Sequence, residues 1–157
     1  MPLAIATENS VRRIDVTSAR AFFRRHGAYL AGRVLCLGGD PPREAIVGDC
    51  IELEDGRPLP GGYFDAVVAG QFLECAADPV ETLRWSCRAM LRIGGALVFT
   101  YRTCWEDQPG DLWRFTRAGM ERLLQEAAFR IVVHEPRGSI AAGGFRFPLG
   151  YGVVAIK

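Results

Sequence analysis

The sequence predicts an α/β protein: an open, mostly parallel sheet with an antiparallel C-terminal hairpin, reduced in its first half. Three observations carry this expectation. Arg33–Leu37 (RVLCL), Tyr63–Ala69 (YFDAVVA) and Ala96–Tyr101 (ALVFTY) are short apolar runs bounded by glycine or polar turns, as strands covered on both faces require. A helix start, Asp78-Pro79-Val80-Glu81, stands between the second and third runs, so a helical crossover joins two parallel strands there. Only Gly39 to Glu44 separates the first run from the next candidate strand, Ala45–Leu53, whereas a parallel crossover takes roughly a dozen residues or more. The first crossover helix and the second strand are therefore expected to be absent or collapsed into 45–53.

The elements follow in order. Asp15 to Ser18 offer N-cap residues for a first helix with Phe22, Phe23, Tyr29 and Leu30 on its apolar side, Arg24, Arg25 and His26 toward water, and Gly27 weakening its last turn. Ala45–Leu53 (AIVGDCIEL) is interrupted by Gly48 and Asp49, and Glu54–Gly62 is rich in turn residues. From the Asp78 cap, Val80, Leu83, Cys87 and Met90 recur at helical spacing, which carries a helix to about Leu91, with Arg92–Gly95 closing it. Thr116 caps a helix over Arg117–Ala127 that turns Met120, Leu123 and Leu124 inward. Phe129–His134 and Tyr151–Ile156 read most simply as an antiparallel pair at the end of the sheet. In the glycine-rich connection Gly138–Gly150 between them, Phe145, Phe147 and Leu149 alternate with Arg146 and Pro148, which fits part of a strand or an apolar contact; the segment is expected to serve self-association or substrate covering. Residues 1–157 are expected to form one domain, with 1–31 a helical segment and 32–157 the sheet core.

Composition narrows the function. At 157 residues and 49% hydrophobic content, one core burying roughly two-thirds of the unfolded surface is expected. Nineteen Lys and Arg against 18 Asp and Glu leave a net charge of +1, which gives no electrostatic case for a nucleic-acid or anionic-membrane partner. A small molecule or another protein is the expected partner. The five cysteines are odd in number and include no C-x-x-C pair, and neither histidine has a Cys or carboxylate partner at a readable spacing. Reduced intracellular thiols and no metal are expected. No window approaches ~18 consecutive apolar residues, and MPLAIATENS lacks the pattern of a signal peptide, so a cytoplasmic location is expected. The slightly positive mean hydropathy, +0.08, and a sheet edge left open by the missing elements favour a homodimer.

From Gly32 to Arg137 the chain resembles a small class I S-adenosylmethionine-dependent methyltransferase. Arg33–Gly38 (RVLCLG) is similar to the family's first strand and the opening of its glycine loop, and Pro58–Val68 (PLPGGYFDAVV) to the fourth strand and its approach. Phe72–Pro79 (FLECAADP) is similar to the stretch after that strand, with Cys75 where a His is usual. Arg88–Gly95 (RAMLRIGG) is similar to the helix end and turn before the fifth strand, with Ile93 where a Pro is usual. Asp111–Phe129 (DLWRFTRAGMERLLQEAAF) carries the most specific match, to the branch in which a D-x-W-R-F-T element opens the next helix. The resemblance implies a Rossmann-like methyltransferase-type fold, S-adenosylmethionine as cofactor, and methylation of a small molecule. It also shows departures. Where the family has an acidic residue and G-x-G-x-G, this chain has Cys36, Gly38, Asp40 and Pro42.

The resemblance places Gly38, Gly39, Asp40, Asp49 and Gln71 on the cofactor side. Asp49 admits two readings, a turn residue or the acid beside the adenine amino group. Glu74, Cys75, Tyr101, Trp105, Asp111, Trp113 and Arg114 lie at the ends of the fourth and fifth strands, where open α/β sheets form their ligand crevice. Bland roles compete with each: surface pairing for Glu74, a small apolar residue at Cys75, core cover for the tryptophans, and an Arg114–Asp111 pair. Methyl transfer needs positioning more than acid–base machinery, so the absence of a catalytic triad is no objection. The rival expectation is a degenerate, non-methylating member that binds a protein or ligand, or an enzyme repurposed for another reaction.

Overall fold

The computed structural model describes residues 8–38, 42–52, 60–104 and 108–157. Its strands are β1 (Arg33–Leu37), β2 (Asp49–Glu52), β3 (Phe64–Gly70), β4 (Leu91–Arg102), β5 (Arg130–Ala142) and β6 (Phe145–Ile156). They form one sheet in the order β2-β1-β3-β4-β6-β5. The first four are parallel, and β6 pairs antiparallel with both β4 and β5.

Alternation along the central strands sends side chains to two cores. Leu35, Val67, Leu97, Phe99 and Tyr101 pack against Leu83 and Cys87 of the 79–88 helical segment and against Met120 and Leu124 of the last helix. Val34, Ala66, Val68, Val98 and Val154 face Phe22, Phe23 and Leu30 on the other side. Helix α1 (Glu8–Arg25) therefore covers one face. Helix α2 (Pro79–Glu81), which continues as a π-helical stretch over Thr82–Arg88, and α3 (Arg117–Glu126) cover the other.

The first half differs from expectation in a specific way. The second strand is present as β2, in parallel register with β1 from Arg33↔Asp49 to Cys36↔Glu52. What is reduced is the crossover: residues 42–48 contain only a 3-10 turn, Arg43–Ala45. The expected run 45–53 is too long because its first residues make that turn. The cysteines also differ from the expected free thiols. Cys36 and Cys50 lie on neighbouring strands, their Cα atoms 6.2 Å apart, and form a disulfide. That bond ties the four-residue edge strand β2 to the sheet, closing a loop in which the described residues hold no α-helix.

Four other boundaries differ. Helix α1 is already under way at Glu8, so Asp15 and Ser18 sit within it instead of capping: Asp15 accepts from Gln71, and the Ser18 hydroxyl donates back to the Asp15 carbonyl. Tyr29 is exposed, while His26 packs its ring 4.7 Å from that of Phe22. The helix begun at Asp78, whose carboxylate accepts the Glu81 amide at 3.0 Å, widens into the π-helical stretch. It ends at Arg88 rather than Leu91. Leu91 already pairs with Phe64, and Arg92–Gly95 is an irregularity inside β4. Finally, the glycine-rich 138–150 connection is strand. β5 and β6 run on to a two-residue turn at Gly143 (φ +58°) and Gly144 (φ +82°), the left-handed pair of conformations that a tight hairpin needs.

Candidate functional site

The chain passes from β1 outward to β2, then returns across β1 to β3. The carboxyl ends of β1 and β3 therefore flank the point where strand order reverses, the place where open parallel sheets leave a crevice. Gly38 ends β1 with φ +86°. A Cβ there would stand 3.2 Å from the Gly70 carbonyl oxygen and 3.8 Å from Phe72 Cβ, so the absence of a side chain lets this turn press against the end of β3. Gln71 stands opposite with φ +51°, a conformation uncommon for a side-chain-bearing residue. Its amide donates to the Thr100 carbonyl at 3.0 Å, and its side-chain amide donates to Asp15 Oδ2 on α1 at 3.0 Å.

Asp15 also forms an ion pair with the Arg137 guanidinium of β5, which donates to the Tyr101 carbonyl at 3.3 Å. Arg137 is not among the residues expected from sequence. An arginine between a predicted strand and its glycine-rich connection gives no sign that α1 will supply its partner.

A second polar cluster lies past the ends of β3 and β4. Glu74 is fully buried. Its Oε1 accepts the Arg102 amide at 2.8 Å and lies 3.7 Å from Arg102 Nε, and its backbone carbonyl accepts the amides of Leu112 (2.6 Å) and Trp113 (3.1 Å). Asp111 continues the chain of charges, 3.3 Å from Arg102 and 2.8 Å from Arg114. Burial pushes the Glu74 carboxyl above its ordinary range, in spite of the Arg102 amide. Burial acts on Asp111 too, but the Gln108 amide and the Arg114 and Arg102 guanidiniums outweigh it and hold that carboxyl down. Cys75 is exposed, and its thiol lies 3.6 Å from Asp111 Oδ1. Burial and that neighbour raise its pKa, which removes the thiolate a nucleophile would need. The Trp113 indole donates to the Ala76 carbonyl at 2.7 Å, and its ring stacks on Phe115. The Arg114–Asp111 pair that the spacing suggests is present. Arg102, which joins the two acids, is a residue the sequence reading lacks, although a charged residue closing a buried strand run is a readable signal.

The structure brings Gly38 and Gln71 together where strand order reverses, and gathers Glu74, Cys75, Asp111, Trp113 and Arg114 past the ends of β3 and β4. It keeps two candidates apart. Asp49 is exposed at the start of β2, in register with Arg33 at the opposite, amino end of the sheet. Glu52 ends β2 at the opposite, carboxyl end, in register with Cys36. Tyr101 is fully buried in the α3-side core, its hydroxyl 2.8 Å from His134 Nε2, while His134 Nδ1 lies 3.0 Å from Glu121 Oε1. Gly39, Asp40 and Trp105 lie outside the described residues. Among the described residues no group of three or more His, Cys, Asp or Glu side chains could hold a metal ion, and no helix is long and apolar enough to cross a membrane.

The His134 contact predicts a pH dependence. Burial and Arg117 lower its pKa from 6.5, against the opposing pull of Glu121. The unfolded chain therefore binds this proton more readily, and stability falls as pH drops below about 6.5. Calorimetric melting at pH 7.5 and 5.5 should show a larger loss for the wild type than for His134→Gln; equal losses would contradict the assignment.

No protein-family model matches the chain, and no curated protein does. Solved structures do. A SAM-dependent methyltransferase from Aquifex aeolicus superposes with a TM-score of 0.63 at 12% identity, over 92% of this chain and 97% of that one. One from Archaeoglobus fulgidus gives 0.61 at 15% identity, over 96% and 100%. The Burkholderia thailandensis 1,6-didemethyltoxoflavin-N1-methyltransferase, solved with 1,6-didemethyltoxoflavin and S-adenosylhomocysteine, gives 0.58 at 17% identity, over 100% and 92%. The chain has a class I methyltransferase-like fold: a mostly parallel α/β sheet with antiparallel C-terminal strands.

Proposed function

We propose that the protein binds S-adenosylmethionine at the crevice between β1 and β3 and methylates a small molecule. One observation carries the reading: the strand-order reversal coincides with a side-chain-free turn at Gly38, so close to β3 that a Cβ there would stand 3.2 Å from the Gly70 carbonyl oxygen. When bound, the cofactor supplies an electrophilic methyl group on a sulfonium leaving group. Gly38 and Gln71 would border its central part, and Glu52, which closes β2 in register with Cys36, is the acid assigned to the ribose hydroxyls. The resemblance assigns Gly39 and Asp40 to the cofactor side as well, and Trp105 to the acceptor side. The Glu74–Arg102–Asp111–Arg114 cluster positions the acceptor-side loops, with Cys75 and Trp113 on its exposed surface. Calorimetric titration with S-adenosylhomocysteine tests this: saturable one-to-one binding is expected, and no heat at millimolar ligand would remove the proposal.

A second reading rests on the hairpin. β5 is an edge strand, and Phe145 and Phe147 are exposed near its turn, a surface suited to self-association. A homodimer follows from this reading, and a monomer at high concentration in sedimentation velocity would remove it.

A further inference from the structure

The glycine turn lacks the acid that its family carries at the end of the first strand, because Cys36 occupies that position and is bonded to Cys50. We propose that Asp15, on α1, supplies the carboxylate for the α-amino group of the cofactor's amino-acid end; this rests on the methyltransferase reading above.

Four observations meet at this corner. Asp15 Oδ2 lies 3.0 Å from the Gln71 side-chain nitrogen, and Gln71 follows Gly70, the residue on which the Gly38 turn rests. The carboxylate is the solvent-side member of its ion pair: the Asp15 side chain is 17% exposed and that of Arg137 2%. Arg137 thus fixes the acid from behind, helped by Ser18, whose hydroxyl donates to the Asp15 carbonyl at 2.9 Å. One buried acceptor on the neighbouring strand, Thr100 Oγ1, has no hydrogen-bond partner among the described residues. Thr100 alternates with the α3-side residues Phe99 and Tyr101, so it belongs to the α1 face, and its carbonyl holds Gln71. Buried polar groups are rarely left unpaired, and the free hydroxyl oxygen of Thr100, whose carbonyl already holds Gln71, is an acceptor a donor-bearing ligand can use. An ammonium carrying three donors is suited to the spare acceptor capacity of the Asp15 carboxylate, the Gln71 side-chain oxygen and Thr100 Oγ1.

The test compares two ligands by calorimetry: S-adenosylhomocysteine, and 5′-methylthioadenosine, which lacks the amino-acid end. The wild type should prefer the former by roughly tenfold to a hundredfold, the worth of a charge-assisted hydrogen bond. Asp15→Asn should erase most of that preference while leaving 5′-methylthioadenosine affinity unchanged, and Asp40→Asn should keep it. Should Asp15→Asn fail to fold with Arg137 unpaired, the double variant Asp15→Asn/Arg137→Gln is read in its place, with the same expectation. A preference that survives loss of Asp15, or that vanishes with Asp40→Asn, overturns the inference while leaving cofactor binding intact. Failure of the wild type to bind either ligand overturns both.

Discussion

Replacing Glu74 with alanine should destabilise the protein by about 3–5 kcal/mol, the usual cost of stranding one partner of a buried ion pair. For a chain of this size that is a fall in Tm of roughly 6–20 °C. Glu74 is fully buried and serves three groups at once: the Arg102 amide, the Arg102 guanidinium and, through its backbone, the 111–113 segment. Truncation leaves Arg102, itself 7% exposed, facing Asp111 alone. Glu74→Gln separates charge from hydrogen bonding. The amide keeps an acceptor for the Arg102 N–H, and burial already favours the neutral form of this side chain, so Gln should cost less than half as much as Ala. Urea unfolding of both variants checks this. An alanine variant within about 1 kcal/mol of wild type would mean the cluster is surface decoration.

Gly38→Val should lower the affinity for S-adenosylhomocysteine by about a hundredfold, the scale of effect that a displacement of order 1 Å produces at a site. The stability cost should stay near ~1–3 kcal/mol, as for a side chain forced into the left-handed region. At φ +86° a Cβ contacts the Gly70 carbonyl, and relief must come from moving the turn away from β3. Gly143→Ala is the control. Its φ is also positive, but nothing lies within 4 Å, so it should carry strain without loss of ligand binding. Equal affinity in Gly38→Val and wild type would place the ligand elsewhere.

The parts of the fold that are legible from the sequence are those dictated by local chemistry. β1 and β3 are short, mostly apolar runs, the Asp78-Pro79 and Thr116 caps announce their helices, and the resemblance across 32–137 supplies the order in which they assemble. The failures have physical causes too. The short crossover looks like a lost strand because loop length argues against a helix, not against a strand held by a disulfide. The Gly143-Gly144 turn is hidden inside a segment dense in glycine, although Phe145, Phe147 and Leu149 alternate as strand residues do. Within the site, Glu74, Asp111 and Arg114 are legible as charged residues after strand ends. Their connection through Arg102 is not, since it depends on β3 and β4 lying side by side. Asp15 reads locally as a cap. Its partners, Gln71 and Arg137, stand 56 and 122 residues away, beyond the reach of any spacing rule.

The central claim is that the crevice at the carboxyl ends of β1 and β3 holds the cofactor. Amide chemical shifts of ¹⁵N-labelled protein titrated with S-adenosylhomocysteine test it most directly. Saturable shifts are expected at Asp15, Gly38, Glu52, Gln71 and Phe72, with Asp49, Trp85 and Arg88 unmoved. Shifts confined to the 84–89 surface or the amino end of the sheet, or none at saturating ligand, would contradict it.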